Sequence, residues 1–524
     1  MSEHEQTTCV SPATGEVIGY SQVDSLGSVR EAVKRGREVQ PAWAATPVAA
    51  RAEAIRKIRD YLAANADDLA TIISRDNGKT RVDALATEVL PAIMAAEFYA
   101  AHAEELLADR AIRPGNLLLA NKLSKIVRVP YGVVAIFSPW NYPFAIPFSE
   151  VVMGLAAGNA VILKAATQTQ LVGRALERAV AAAGLPDGVF TYLNLPGRLA
   201  GDAVLEAGVD KLFFTGSVGV GKQLMRKAAD SLTPLVLELG GNDAMLVCED
   251  ADLDRAAAGA TWAGMQNAGQ SCGGVERIYV HRAVYEPFLE RLGARVRALR
   301  VGPDVDHEVD MGAMTTVGQR EVVERHVADA LEKGAVVFAE SACPRGGPGN
   351  FLPARVLTNV NHDMLVMREE TFGPVVGVMP VDDMNQAVAL ANDSDLGLTG
   401  SVWSKNRAAA EEIGRRIQAG VVMINDHLMS HGLAETPWGG FKQSGIGRTH
   451  GQIGFDEMTQ PQCIVHDYMP AVKKNMWWHP HGKAVYDGVR GIIDLLYGEG
   501  HRASGLGELV KLFPRTFKSD RRDR

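Results

Sequence analysis

The 524-residue chain is predicted to be an α/β protein with two doubly wound, Rossmann-like domains, a small β oligomerisation element and a helical C-terminal extension. Three observations predict this. From Tyr131 onward, short apolar runs alternate with helix-patterned segments. The alternation restarts near Asn242. After about residue 470 the acidic bias of the chain reverses, and apolar residues recur at helical spacing.

The first stretch, to about residue 110, is rich in alanine and charge and reads as amphipathic helices, Val48 to Asn65 and Ala84 to Ala108 among them. They are expected to form a helical layer packed on another part of the chain. From Tyr131 the runs VVAIF, AVILKA, VFTYLNL, KLFFTG and PLVLELG are strands, with PFSEVVMGLAAG, LVGRALERAVAAAG, LAGDAVLEAG and GVGKQLMRKAAD between them as helices. Such alternation means parallel strands joined by crossover helices. Ligands of such sheets bind at the carboxyl ends of the strands. Residues 1–115 and 131–240 are therefore assigned to a nucleotide-binding domain.

The second alternation, AMLVCE, the helix Leu253 to Ala268, RIYVH, GAVVFA, VVGVMPV, TGSVWS and VVMIND, assigns residues 241–450 to a second α/β domain. Between the two halves of the first domain, KLSKIVRV alternates polar and apolar and is ended by Pro130, as in a half-exposed strand. Residues 116–130 and 455–468 are expected to pair as oligomerisation strands, although an ordinary edge strand fits the same pattern. Residues 469–524 form the extension. Its Trp477 and Trp478 beside Lys473 and Lys474 suggest an interfacial membrane anchor, but Asp487 and Asp494 interrupt the apolar face. A helix covering a neighbouring subunit is the expectation.

Composition excludes several functions. Apolar residues make up 47% of the chain, enough for ordinary cores, and the net charge is -8 with no long basic run, which argues against nucleic acid. The N-terminus MSEHEQTT lacks a basic region and an apolar core, and no apolar run approaches the roughly 20 residues that span a bilayer. A cytoplasmic protein is expected. The five cysteines are scattered and never in CxxC spacing, which speaks against a disulfide framework and against zinc. Taken alone, each is a buried small side chain.

GSVGVGK at Gly216 to Lys222 has phosphate-loop spacing, but Gln223 stands where magnesium-dependent phosphoryl transfer needs a hydroxyl. What survives is a glycine-rich turn after a strand, with a helix N-terminus able to face a pyrophosphate. Four other stretches lie near strand ends or loops: SPWNYP (138–143), ELGGND (238–243), GQSC (269–272) and EETFGPV (369–375). They hold an amide, two carboxylates and a thiol. A thiolate attacks a carbonyl best when its developing oxyanion meets fixed donors, which the Asn141 amide and the Cys272 backbone N–H can supply. Glu238, ending PLVLE, can serve as a base toward water, or merely cap the next turn.

In order and spacing these stretches, with SPATGEVIG near the start, FTGSVGVG at 214–221 and PWGGFKQSGIGR at 437–448, resemble the aldehyde dehydrogenase superfamily over about residues 10 to 465. The resemblance implies an NAD(P)-dependent, hydrolytic oxidoreductase. It makes Cys272 the nucleophile, Glu238 the general base and Asn141 the oxyanion amide. It places the cofactor against Ser138, Pro139, Trp140, Lys164, Thr167, Gly216, Ser217, Gly221, Leu239, Glu370 and Phe372, and substrate against Tyr142, Ile146, Ser271 and Trp438. The implied course is a thiohemiacetal on Cys272, loss of hydride, then a thioester hydrolysed by water that Glu238 activates. Acylating relatives that use coenzyme A typically lack this glutamate. A homodimer or homotetramer is implied as well.

Two departures stand out. Where the family often has a glutamate three residues after Lys164, to hold the adenosine ribose hydroxyls, this chain has Thr167. A carboxylate there would repel a 2'-phosphate, so both NAD and NADP are expected, with a lean to NADP. The extension after residue 470 has no counterpart in many relatives. Judged by their places beside the motifs, Tyr142, Ile146, Ser149, Trp262, Met265, Ser271 and Trp438 line the aldehyde entrance and are mostly apolar, which suggests an aliphatic or aromatic aldehyde; a succinate-semialdehyde-type enzyme, a coenzyme A-acylating enzyme and an inactive member of the fold are the alternatives.

Overall fold

In the computed structural model, residues 5–344, 346–500 and 502–518 are described. Residues 1–4 of the expected first domain and 519–524 of the expected extension lie outside the described residues. One compact unit comprises Met1–Leu107 with Pro130–Gln460, and a second comprises Ala108–Val129 with Pro461–Arg524.

The first unit is built on two sheets. One has six strands in the order Gly445–Ile446, Leu235–Glu238, Lys211–Thr215, Val133–Phe137, Ala160–Lys164, Phe190–Leu193. All neighbours are parallel except the first pair, in which Gly445 lies opposite Glu238. Val133–Phe137 and Ala160–Lys164 are buried along their whole length, which is why they read as unbroken apolar runs and not as alternating ones. The chain lays its first strand in the middle, adds two on one side, then crosses to the other. The crossovers therefore part at the carboxyl ends of Val133–Phe137 and Lys211–Thr215, leaving a crevice.

The other sheet has seven strands, ordered Val336–Glu340, Arg355–Thr358, Val375–Val381, Val275–His281, Asp243–Val247, Thr399–Trp403, Val421–Ile424. Only its edge pair, Val336–Glu340 with Arg355–Thr358, is antiparallel. Its core gathers Met245, Leu246, Ile278, Tyr279, Phe288 and Val378, all fully buried.

Several boundaries differ from the sequence reading. Residues 6–10 and 17–22, expected within a helical layer, pair as an antiparallel hairpin around the turn of SPATGEVIG. Arg110–Ile112, placed in the first domain, pairs instead with Lys122–Pro130. Gly445–Ile446, placed in the second domain, joins the first domain's sheet. The helix expected over Leu253 to Ala268 ends at Met265, because Asn267 and Ala268 take left-handed φ values of 54° and 54°. Helical structure from Arg81 to Leu106 runs on through a π-helical turn at Leu85–Val89, and by length and composition it could cross a bilayer. Ala92, Ala95, Ala96, Tyr99, Ala100 and Ala103 bury one side of it in the core, so it serves as a core helix here.

The second unit contains a three-stranded sheet, ordered Thr459–Asp467, Lys122–Pro130, Arg110–Ile112. It also contains a pair of helices, Lys483–Tyr497 and Arg502–Leu512. Met476, Val485, Ile492 and Leu512 form a small core with Leu118 against it.

Candidate active site

The two sheets meet the site with opposite ends. From the first come the residues at or just beyond the carboxyl ends of its strands: Ser138 to Asn141, Lys164, Gly216 with Ser217, and Glu238. From the second come residues just before the amino ends: Gly240 to Asn242 ahead of Asp243–Val247, Cys272 ahead of Val275–His281, and Glu370 with Phe372 ahead of Val375–Val381. The carboxyl-end rule thus describes only the first sheet's contribution. ELGGND is the segment that passes directly from one sheet to the other.

Two glycines in that segment are required by close approach. A Cβ at Gly241 would sit 2.1 Å from the Cys272 carbonyl oxygen, and one at Gly240 would sit 2.3 Å from Glu370 Oε2. With only hydrogen there, the Gly241 N–H donates to Glu370 Oε1 at 3.0 Å. Glu370 is held from behind by Glu276, whose carboxylate accepts the N–H groups of Thr371 and Phe372, each at 2.8 Å, and the Asn242 amide at 2.8 Å. Arg277, ambiguous from sequence, is a fully buried anchor. It donates to the carbonyls of Asn242, Leu390 and Ala391, fixing the strand after the cysteine.

The loop that presents Cys272 is tied to Asn141. The Asn267 amide donates to the Asn141 carbonyl at 3.0 Å and to the Gln270 carbonyl at 3.2 Å, and Lys79 Nζ reaches the same Asn141 oxygen at 2.9 Å. The Asn141 side-chain amide donates to Gln270 O at 3.1 Å. An amide carries two N–H groups, so the second remains to meet an oxyanion near Cys272. On the far side, Gly273 O accepts from the neutral His427 ring at 3.1 Å, burial having pushed the pKa of His427 down to about 4.

Three cavities converge on the half-buried Cys272. The largest, about 670 Å³, is lined by Ser138, Pro139, Trp140, Asn141, Lys164, Gly216, Ser217, Glu238, Leu239, Glu370 and Phe372, which were all expected from sequence. It suits a dinucleotide. The helix Val218–Ala228 starts directly after Gly216 and Ser217, so the free N–H groups of its first turn are available to a pyrophosphate. A Cβ at Gly216 would lie 2.6 Å from the Phe214 ring, so a side chain there would clash. Burial pushes Lys164 down to about 8, and burial with the nearby Glu276 pushes Glu370 up to about 8. Phe372, held at φ 51°, sets its ring edge-on to Trp140 at 5.4 Å.

Two expected cofactor residues lie elsewhere. Thr167 is exposed and does not line this cavity. Gly221 is buried under Leu239, where a Cβ would come within 2.7 Å of that side chain, so it permits packing and does not contact the cavity. Sequence reasoning missed Arg198 and Lys227, which do line it. Both sit on helices whose patterning announces only a solvated face.

The second cavity is apolar, about 260 Å³, and holds Tyr142, Ile146, Ser271 and Trp438 as expected. Trp262, also expected beside the entrance, joins them, whereas Ser149 and Met265 do not. Ala86, Thr87, Leu90 and Pro91 form another wall, contributed by the helical layer at the N-terminus. Among the described residues no Lys or Arg lines it.

The third cavity, small and enclosed, lies beside Glu238 and holds Glu150, Thr215, His431, Trp438, Thr449 and His450. Neither Glu238 oxygen has a hydrogen-bond partner among the described residues. Burial raises the Glu238 pKa well above the carboxylate range, and the neighbouring Glu150 raises it further. Burial likewise raises Cys272 above the thiol range, with Glu370, Asp243 and Glu238 adding to the effect. Glu150 was missed, although one carboxylate inside the apolar run PFSEVVMGLAAG was a readable signal. Among the described residues there is no His/Cys/Asp/Glu cluster fit for a metal.

Comparison with known proteins agrees with this geometry. The family model described as "Aldehyde dehydrogenase family" matches residues 1–464. The 4,4'-diapolycopene aldehyde oxidase of a Methylomonas species is 37% identical over 490 residues, covering 94% of this chain and 91% of its own. A putative NADP(+) succinate-semialdehyde dehydrogenase of Mycolicibacterium smegmatis is 38% identical over 453 residues, covering 86% and 87%. The structure of an NAD+ complex of a Bacillus cereus aldehyde dehydrogenase superposes with a TM-score of 0.84 at 31% identity, covering 88% of this chain and 93% of that one.

Proposed function

The chain belongs to the aldehyde dehydrogenase family, and we propose that within it the protein oxidises apolar aldehydes to carboxylic acids, hydrolytically and with a preference for NADP over NAD. One observation carries this reading. Cys272 lies where an apolar pocket, a dinucleotide-sized cavity and the enclosed space around Glu238 meet, so one thiol can face aldehyde, cofactor and base.

The work of each residue follows from its surroundings. The Cys272 thiolate, formed by loss of its proton to solvent, bonds through Sγ to the aldehyde carbon, and the oxyanion so formed is received by the Asn141 amide and the Cys272 backbone N–H. Bound oxidised cofactor supplies the hydride acceptor. Glu370, gripped by the Gly241 N–H, and Phe372 against Trp140 would hold that acceptor in the cavity beside Cys272. With the hydride gone, Cys272 carries a thioester. Glu238 takes a proton from water, the water oxygen attacks the thioester carbon, and the acid leaves as the thiol is restored. Burial raises the Glu238 pKa, which makes its carboxylate a stronger base toward that water than an exposed one would be.

Three basic side chains, Lys164, Arg198 and Lys227, line the cofactor cavity, Lys227 also pairing with Asp202, and among the described residues its lining carboxylates are Glu238 and Glu370. That balance supports a 2'-phosphate. The M. smegmatis relative is named for succinate semialdehyde, but here no cation lines the substrate pocket among the described residues, so an anionic tail would be left unpaired. The pocket supports an apolar chain. We also propose that the chain is a homo-oligomer, supported by the edge strand Thr459–Asp467, where Val465 is exposed. The test is absorbance at 340 nm with a panel of aldehydes, each with NAD or NADP and with or without coenzyme A. Alkyl and aryl aldehydes turned over with NADP and indifferent to coenzyme A are expected. Turnover confined to succinate semialdehyde, or dependent on coenzyme A, would overturn the assignment.

A further inference from the structure

We propose that the C-terminal helix pair is a peripheral docking surface for an anionic lipid bilayer. The first observation is how the two helices are already satisfied. Lys483–Tyr497 and Arg502–Leu512 meet through glycines: a Cβ at Gly488 would lie 2.6 Å from Leu512, one at Gly491 2.6 Å from Glu508, and one at Gly505 2.4 Å from the Gly491 carbonyl. Backbones this close bury Val485, Ile492 and Leu512 between them. With Met476 and Leu118 also against it, this seam is filled from within the described residues of the same unit.

Each helix nevertheless carries a second apolar stripe. Tyr486, Ile493 and Tyr497 recur at i, i+7 and i+11, and Leu506, Val510, Phe513 and Phe517 at i, i+4, i+7 and i+11. At ~100° per residue Tyr486, Ile493 and Tyr497, and likewise Leu506 and Val510, fall on one side of their helix, away from the seam residues, and Phe513 and Phe517 follow on the 3-10 turn Phe513–Phe517 that ends the second helix. These side chains are exposed, Tyr497 by 77%, Tyr486 by 72% and Val510 by 62%. Trp477 and Trp478, in the segment leading into the first helix, are exposed as well. Exposed apolar stripes rich in Trp, Tyr and Phe match the composition of helices that lie in the boundary between headgroups and acyl chains.

Charge selects the occupant. Residues 469–524 hold eleven Lys and Arg against six Asp and Glu, a net +5 on a chain whose total is -8. Lys518 is exposed directly after Phe517, and Lys483, Arg490 and Lys511 lie on the two helices. Some of this charge is paired within the helices, Lys483 with Asp487, Arg490 with Asp494 and Lys511 with Glu508, so the attraction to anionic headgroups is the residual excess. The sequence alone had favoured a neighbouring subunit as the cover. Two separate stripes beyond a filled seam, with basic flanks, fit a lipid surface better. A bilayer also concentrates apolar aldehydes, although docking stands or falls independently of the substrate.

The experiment is flotation of the full-length protein with vesicles of phosphatidylcholine alone or containing 30% phosphatidylglycerol, at low and high salt. Wild type is expected to float with the anionic vesicles at least tenfold more than with the neutral ones, and salt should release it. The quadruple variant Tyr486→Ser, Ile493→Ser, Val510→Ser, Phe513→Ser should lose at least tenfold of that binding while keeping its mass by light scattering and its turnover of a short, water-soluble aldehyde. Lys511→Glu with Lys518→Glu, which leaves the apolar stripes intact, should weaken anionic binding alone. Absence of flotation, equal flotation with neutral vesicles, or a change of oligomer mass in place of lost flotation would overturn the proposal.

Discussion

Replacing Asn141 with alanine isolates the oxyanion donor from the architecture that holds it. The Asn141 backbone carbonyl is clamped by Lys79 at 2.9 Å and Asn267 at 3.0 Å, and neither contact needs the side chain. Gln270 O, which loses the Asn141 amide, keeps Asn267 Nδ2 at 3.2 Å. The structural cost is then one hydrogen bond with its acceptor still satisfied, about 1 kcal/mol. The catalytic cost is a preorganised donor at the point where charge develops, typically ~100 to 1000-fold in kcat, or about 2.7 to 4 kcal/mol. Steady-state kinetics at 340 nm with saturating cofactor, together with a thermal melt, separate the two. kcat should fall at least ~100-fold while the melt moves by a few degrees. A loss of less than ~10-fold, or an inactivity explained by unfolding, would refute the role given to this amide.

Three further outcomes follow from neighbouring groups. Because burial and three carboxylates raise Cys272, its thiolate fraction is small at pH 7 and grows as pH rises; alkylation by iodoacetamide without cofactor should climb ~tenfold per unit from pH 6 to 9 with no plateau, and Glu370→Gln should speed it. Arg198→Glu replaces a cation on the wall of the cofactor cavity with a carboxylate and should lower kcat/KM for NADP by at least ~10-fold while sparing NAD, as measured by paired saturation curves. Lys79→Met strands Glu88 at a fully buried site, where it also receives the N–H groups of Phe144 and Ala145; urea denaturation should show a loss of ~3 to 5 kcal/mol, partly restored by adding Glu88→Gln.

The strands of both sheets were legible because burial on two faces leaves continuous apolar runs, as in Val133–Phe137, and no packing detail is needed to see them. Asn141, Glu238, Cys272 and Glu370 were legible through the motifs around them. The shared site itself was not: it depends on the second sheet pointing its amino ends at the first sheet's carboxyl ends, a relation set by packing. Gly445–Ile446 escaped for a similar reason, since two residues paired against Glu238 carry no periodicity of their own. Lys227 and Arg198 looked like ordinary surface charge until the cavity placed them. Thr167 shows the converse, a position that motif matching sets at the cofactor and that the fold leaves on an exposed turn. The hairpin at residues 6–22 was lost under the alanine-rich composition of the helices that follow it.

The most direct test of the account is to stop the reaction between its two halves. Glu238→Gln removes the base but leaves the thiol, the amide and both larger cavities. Incubated with an apolar aldehyde and NADP, then quenched in acid, this variant should form about one equivalent of NADPH in a burst. Mass spectrometry should then find the acyl group as a thioester on the peptide bearing Cys272. Steady turnover without a burst, or an acyl group on any residue other than Cys272, would contradict the account.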